Sequence, residues 1–164
     1  MNTRVMGLDP GTATTGYGVV EGDLDSLVMV EYGAILTPAG MPMPERLSMI
    51  YDRLTELLAR NAIGALSIEK LFFNRNVTTA LSVGQARGVM LLAAHKAGIP
   101  VFEYTPLEVK QALVGYGRAS KDQMQQMVRM ILKLDHSPHP DDAADALANA
   151  ICHVQSARMR ELLQ

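Results

Sequence analysis

Asp142 and Asp145 stand three residues apart in the segment Asp141-Asp142-Ala143-Ala144-Asp145-Ala146-Leu147-Ala148. Its Ala and Leu content predicts a helix. Positions i and i+3 share a helix face, so both carboxylates aim at one point from an otherwise apolar segment. Like charges this close repel, and a cation between them resolves the repulsion. Two further acids end strand-like apolar runs: Asp9 after Arg4-Val5-Met6-Gly7-Leu8, and Glu69 after Ala65-Leu66-Ser67-Ile68. Four carboxylates without a Cys or His cluster suit a hard divalent cation, Mg²⁺ or Mn²⁺, rather than Zn²⁺. Two such ions, about 3.5–4 Å apart, can activate a water and relieve charge on the leaving oxygen of a phosphodiester.

Each acid also has a plainer reading. Asp9 before Pro10-Gly11 is a turn former, and Glu69 could be an exposed strand end. Of the pair Asp141-Asp142, Asp141 is expected to be the helix N-cap and Asp142 the ligand. Asp145 lies past the first helical turn, where capping does not explain it.

The elements that must position these acids are legible in the periodicity. Val5–Leu8, Thr15–Val20 and Leu27–Leu36 read as three strands joined by turn residues. Glu45–Asn61 carries Leu47, Ile50, Tyr51, Leu54, Leu57 and Leu58 on one stripe, an amphipathic helix. Ala65–Glu69 is a buried strand, followed by a helix over Thr78–Ala97 whose Ala80, Gly84, Ala86 and Gly88 invite close packing. A strand at Pro100–Tyr104 leads into Thr105-Pro106, a helix start, and a helix to Val114. Helices over Lys121–Lys133 and Asp141–Leu163 complete the chain. The order βββ-α-β-α-β-α-α-α predicts an α/β fold with a mixed sheet. No repeat or linker interrupts it, so residues 1–164 are expected to form a single domain.

Bulk composition agrees with ordinary globular chemistry: 48% hydrophobic and 20% charged over 164 residues. No apolar run approaching a membrane span and no signal peptide are read, so no membrane partner is expected. The lone cysteine, Cys152, excludes an internal disulfide and reads as a small buried hydrophobe; a cytoplasmic location is the expectation. The net charge is −2, but it is unevenly spread: −5 over residues 1–69, +6 over 70–133 and −3 over 134–164. A basic middle beside a carboxylate site is compatible with binding phosphate. Within it, Phe72-Phe73-Asn74-Arg75 could stack on bases and reach phosphate, and Lys110, Arg118 and Lys121 are candidate phosphate contacts. Lys121 near a helix start is electrostatically unfavourable, which favours an external anion beside it. His136 and His139 read as loop residues. Met124, Met127 and Met130 are expected in the core. Gly11-Thr12-Ala13-Thr14-Thr15-Gly16 could cradle a phosphate; the same pattern resembles the first phosphate loop of two-domain ATPases, but 164 residues supply one such domain.

Gly7-Leu8-Asp9-Pro10-Gly11, Ser67-Ile68-Glu69, Gly84-Gln85-Ala86-Arg87-Gly88, Val101-Phe102-Glu103-Tyr104 and Asp142-Ala143-Ala144-Asp145-Ala146-Leu147-Ala148 together resemble the RuvC family, end to end and in order. The resemblance implies a ribonuclease H-like fold with a five-stranded mixed sheet flanked by helices. It implies an endodeoxyribonuclease that resolves Holliday junctions by symmetric paired nicks in recombination and repair. It further implies a homodimer that requires Mg²⁺ or Mn²⁺, two ions per site, and works with the RuvA–RuvB branch-migration complex on four-way junction DNA. Asp9, Glu69, Asp142 and Asp145 match the family's catalytic carboxylates, with Asp9 bridging the metals. Lys110 and Lys121 match its DNA-contacting lysines, and Phe72 an aromatic linked to opening the junction centre, with Phe73 an addition here. Two other readings compete: a non-catalytic junction-binding relative, and a ribonuclease H-type nuclease of RNA–DNA hybrids.

Overall fold

A computed structural model describes residues 3–71 and 77–163. The chain opens with β1 (Arg4–Asp9), β2 (Thr14–Glu21) and β3 (Val28–Leu36), followed by α1 (Met43–Asn61) and β4 (Ala65–Glu69). Then come α2 (Val77–Lys96), β5 (Val101–Tyr104), α3 (Pro106–Val114), α4 (Lys121–Ile131) and α5 (Asp141–Leu162). The five strands form one sheet in the order β3-β2-β1-β4-β5. β1–β2 and β2–β3 pair antiparallel, and β1–β4 and β4–β5 parallel. This is the expected mixed sheet, element for element.

Strand side chains alternate between faces, and two cores result. Met6, Leu8, Leu66 and Ile68 point to one face and pack with Ile50, Leu54, Leu57 and Leu58 of α1 and Ala86, Met90, Ala93 and Ala94 of α2. Val5 and Ala65 point to the other, against Leu147, Ala148, Ala150 and Ile151 of α5, with Val109 and Leu113 of α3 and Val128 of α4. By that alternation Gly7, Asp9, Ser67 and Glu69 share the α5 face.

α5 sits unusually close to the sheet, and glycine permits it. A Cβ on Gly7 would collide with the carbonyl of Ala146, and one on Gly16 with the carbonyl of Asp142. The long burial of α5 from Ala143 through His153 follows from that seat. Its start differs from expectation: the N-cap is Pro140, without a side-chain cap, and Asp141 is already helical. The Asp141 carboxylate is drawn elsewhere, accepting from Gln125 Nε2 at 3.0 Å and pairing with Lys121 at 3.4 Å.

Two other expectations change. α2 is long and apolar enough to cross a membrane by length and composition, with a hydropathy of 1.2. It nonetheless packs on the sheet through Ala86, Met90, Ala93 and Ala94, and Arg87 pairs with Glu103 of β5. Met130 is 69% exposed, whereas Met124 and Met127 pack against the α5-side core. Cys152 is fully buried, as expected. α3 and α4 begin with complete capping boxes, Thr105 with Glu108 and Ser120 with Gln123.

Candidate nuclease site

The register of the sheet brings the four acids together. Leu8 pairs with Ile68 on the adjacent parallel strand, so Asp9 and Glu69 are the next residues along, at neighbouring strand tips. Asp9 also pairs with Gly16, the glycine on which the Asp142 carbonyl rests. The α5 helix therefore starts directly over the tip of β1. Asp145 follows one turn later on the same face.

The acids repel and hydrogen-bond one another. The Asp9 carboxyl is pushed up to about 8, first by burial and then by Asp145, Asp142 and Glu69, with a hydrogen bond to Asp142 adding to it. Glu69 is raised by burial and by Asp145, against a lowering pull from Lys110. Asp145 is raised by burial, against Lys121. Among the described residues, no three acid, His or Cys side chains converge tightly enough to clasp an ion as they stand. The acids are instead engaged with each other and with Lys121, whose Nζ lies 3.8 Å from Asp145 Oδ2. The donor chemistry still fits a hard divalent cation: every candidate ligand is a carboxylate oxygen. The raised carboxyls mark an electrostatic cost that such a cation relieves.

A cavity of about 200 Å³ opens beside the acids, lined by Glu69, Asp145, Lys110, Lys121 and Asn149 among others. Lys110 and Lys121 thus line the space beside the acids. Arg118 lies exposed in the loop before α4. Phe72, Phe73 and Arg75 lie outside the described residues. His136 and His139 are exposed loop residues. In the Gly11–Gly16 turn, Thr15 Oγ1 donates to Gly11 O at 2.7 Å, and Thr37 N donates to Ala13 O at 3.1 Å.

Sequence reasoning passed over Ser67 and Asn149. Both are buried polar residues, 0% and 4% exposed. The signal was present: each is the lone polar residue in an apolar run, two residues before Glu69 and four after Asp145.

A mixed sheet in this order, with acids at the tips of β1 and β4 and on the helix laid across them, is a ribonuclease H-like nuclease fold. Residues 5–153 match the family described as crossover junction endodeoxyribonuclease RuvC. A protein of that name from Rubrobacter xylanophilus is 57% identical over 155 residues, 94% of this chain and 87% of the relative. One from Chloroflexus aggregans is 58% identical over 154 residues, 94% of each chain. The solved structure of Thermus thermophilus RuvC in complex with Holliday junction substrate superposes with a TM-score of 0.92 at 40% identity, covering 96% of each chain. The chain belongs to the RuvC family of crossover junction endodeoxyribonucleases.

Proposed function

We propose that Asp9, Glu69, Asp142 and Asp145 hold the divalent metal with which this endonuclease cuts DNA. The chain is a Holliday junction resolvase, a nuclease of recombination and repair, like the relatives it matches. The observation that carries the metal reading is the meeting of Asp9 with Asp142 and Asp145, from a strand tip and a helix, in a partly buried site. Mg²⁺ or Mn²⁺, as a pair of ions, would supply charge neutralisation at the scissile phosphate and a more acidic attacking water.

The chain's own residues do the rest. Lys110 and Lys121 flank the acids and hold the DNA backbone by its phosphates. A cation held by these carboxylates would displace the proton that burial and the neighbouring acids favour on Asp9. The cavity beside Glu69 and Asp145 admits one strand's phosphate against these groups.

Paired nicks in opposed strands call for two sites related by a two-fold axis. The exposed stripe of α2 supplies a surface for a second copy. Leu81 and Leu92 are 61% and 50% exposed on it, and nothing lies within 4 Å of a Cβ built on Gly88 between them. The reading extends to residues 1–164 as one nuclease domain, to a cytoplasmic setting, and to the RuvA–RuvB complex as partner.

The test is cleavage of a labelled four-way junction with a mobile core, in Mg²⁺ and in Mn²⁺, for wild type and Asp145→Asn. Symmetric nicks should fall by roughly 10²–10³-fold in the variant while junction binding persists. Undiminished cleavage by the variant would remove Asp145 from the site. Equal cutting of an RNA–DNA hybrid would transfer the chain to that substrate class.

A further inference from the structure

Asn149 lies four residues beyond Asp145 and seven beyond Asp142, on the same face of α5. It is 4% exposed, and Ala146, Leu147, Ala148, Ala150 and Ile151 around it are all buried. A carboxamide in such a place needs a partner, and residue 149 is tied to both site-bearing strands, by its side chain to one and by its main chain to the other. Its Nδ2 donates to the main-chain oxygen of Leu8 at 2.9 Å, and Leu8 is the residue before Asp9. Its own main-chain oxygen accepts from Ser67 Oγ at 2.7 Å, and Ser67 is two residues before Glu69 on the same strand face. Asn149 also lines the cavity shared by Glu69, Asp145, Lys110 and Lys121.

Packing alone does not call for this residue. Gly7 and Gly16 already fix how near α5 comes to the sheet. A contact of that kind sets separation but leaves the helix free to slide along its axis. A directional hydrogen bond to Leu8 O fixes the slide, and hence how Asp142 and Asp145 meet Asp9. The Ser67 bond does the same for β4.

We infer that Asn149, assisted by Ser67, is a positioning residue that sets the spacing of the α5 carboxylates against Asp9 and Glu69. This rests on the reading of those four acids as the metal site. Residues that orient metal ligands from behind typically contribute about 10- to 100-fold in metal affinity or activity, and Asn149 should fall in that range.

The experiment compares wild type, Asn149→Ala, Asn149→Ser, Ser67→Ala and Asp9→Asn. Mn²⁺ binding to the metal-free proteins is measured by titration calorimetry, together with the Mg²⁺ concentration for half-maximal junction cleavage and junction affinity in chelator. Asn149→Ala should weaken Mn²⁺ binding and raise the half-maximal Mg²⁺ about 10- to 100-fold, with junction affinity in chelator unchanged. Ser67→Ala should shift both in the same direction by less, because the Asn149 carbonyl keeps its place in the helix. Unchanged metal binding by a folded Asn149→Ala overturns the proposal. If that variant does not fold, Asn149→Ser decides, since it withdraws the donor from Leu8 O while keeping a small polar side chain, and unchanged metal binding in it overturns the proposal equally. Asp9→Asn separates the two levels. If it binds Mn²⁺ as wild type does, the carboxylate reading fails. If it loses the ion while Asn149→Ala keeps it, only the positioning role fails.

Discussion

The Lys121 ammonium lies 3.8 Å from Asp145 Oδ2, with Asp141 Oδ2 at 3.4 Å on its other side. Asp145 is the leading reason the lysine is held above its usual range. A lysine in the first turn of α4 is opposed by the helix dipole, and the neighbouring anions that offset this belong to the protein itself. On the proposed reading, Lys121 faces two demands on its charge, the acids and the DNA backbone.

Lys121→Gln should separate these roles. Divalent-ion binding to the metal-free protein should tighten severalfold, because a competing cation is gone. Junction affinity should weaken, and the log–log salt slope should drop by about 1 if one phosphate contact is lost. Calorimetry with Mn²⁺ and a salt series of junction binding measure the two effects. Weaker Mn²⁺ binding would show that Lys121 supports the metal site rather than competing with it.

His153 gives the fold a dependence on acid. It is buried, its Nδ1 shares a 2.8 Å hydrogen bond with the Tyr104 hydroxyl, and its ring packs on Phe102 at 4.3 Å between centroids. Burial, and then Arg160, hold it down to about 4 from 6.5. Between those values the unfolded chain binds a proton that the native chain refuses, so this group costs stability as pH falls through that window. The loss should approach about 3 kcal/mol by pH 4. Urea unfolding of wild type and His153→Gln at pH 7 and pH 4.5 isolates it, since other groups cancel in the difference. A gap between the two proteins that does not narrow on acidification would contradict this account.

The α2 stripe predicts the oligomeric state. Leu92→Glu places a charge on the exposed face beside Gly88 and away from the core. On the proposed dimer, it should leave helix content and thermal stability of the protomer near wild type while shifting sedimentation from dimer to monomer. Cleavage of the two opposed strands should then lose its symmetry. A variant that remains dimeric moves the interface off α2.

Most of the architecture was readable because its signals are local. The apolar runs of β1 and β4, the stripe of α1 and the Thr105-Pro106 start each lie within a few residues, and the structure places them as expected. What was not readable depends on partners far away in sequence. Asp141 looks like a cap until Gln125 and Lys121 arrive from α4 to claim its carboxylate. Met130 matches its neighbours in periodicity but falls on the solvent side. α2 scatters its Thr, Ser, Gln and Arg residues around an apolar background without a stripe, so its pattern could not say which face the core takes. Asn149 shows the same limit: an Asn within an Ala-rich helix reads as neutral until the Leu8 carbonyl, 141 residues away, is seen beneath it.

The glycine seat under α5 has a mechanical consequence. In most of the core a methyl group more or less is absorbed by neighbours that shift. At Gly7 and Gly16 backbone bears directly on backbone, and the gap is fixed by atomic radii. The proposed metal-binding acids are mounted across a joint whose separation cannot relax. Changes elsewhere in the interior that spare this seat and the Asn149 bonds can alter how firmly the protein holds together without changing the bore of the site.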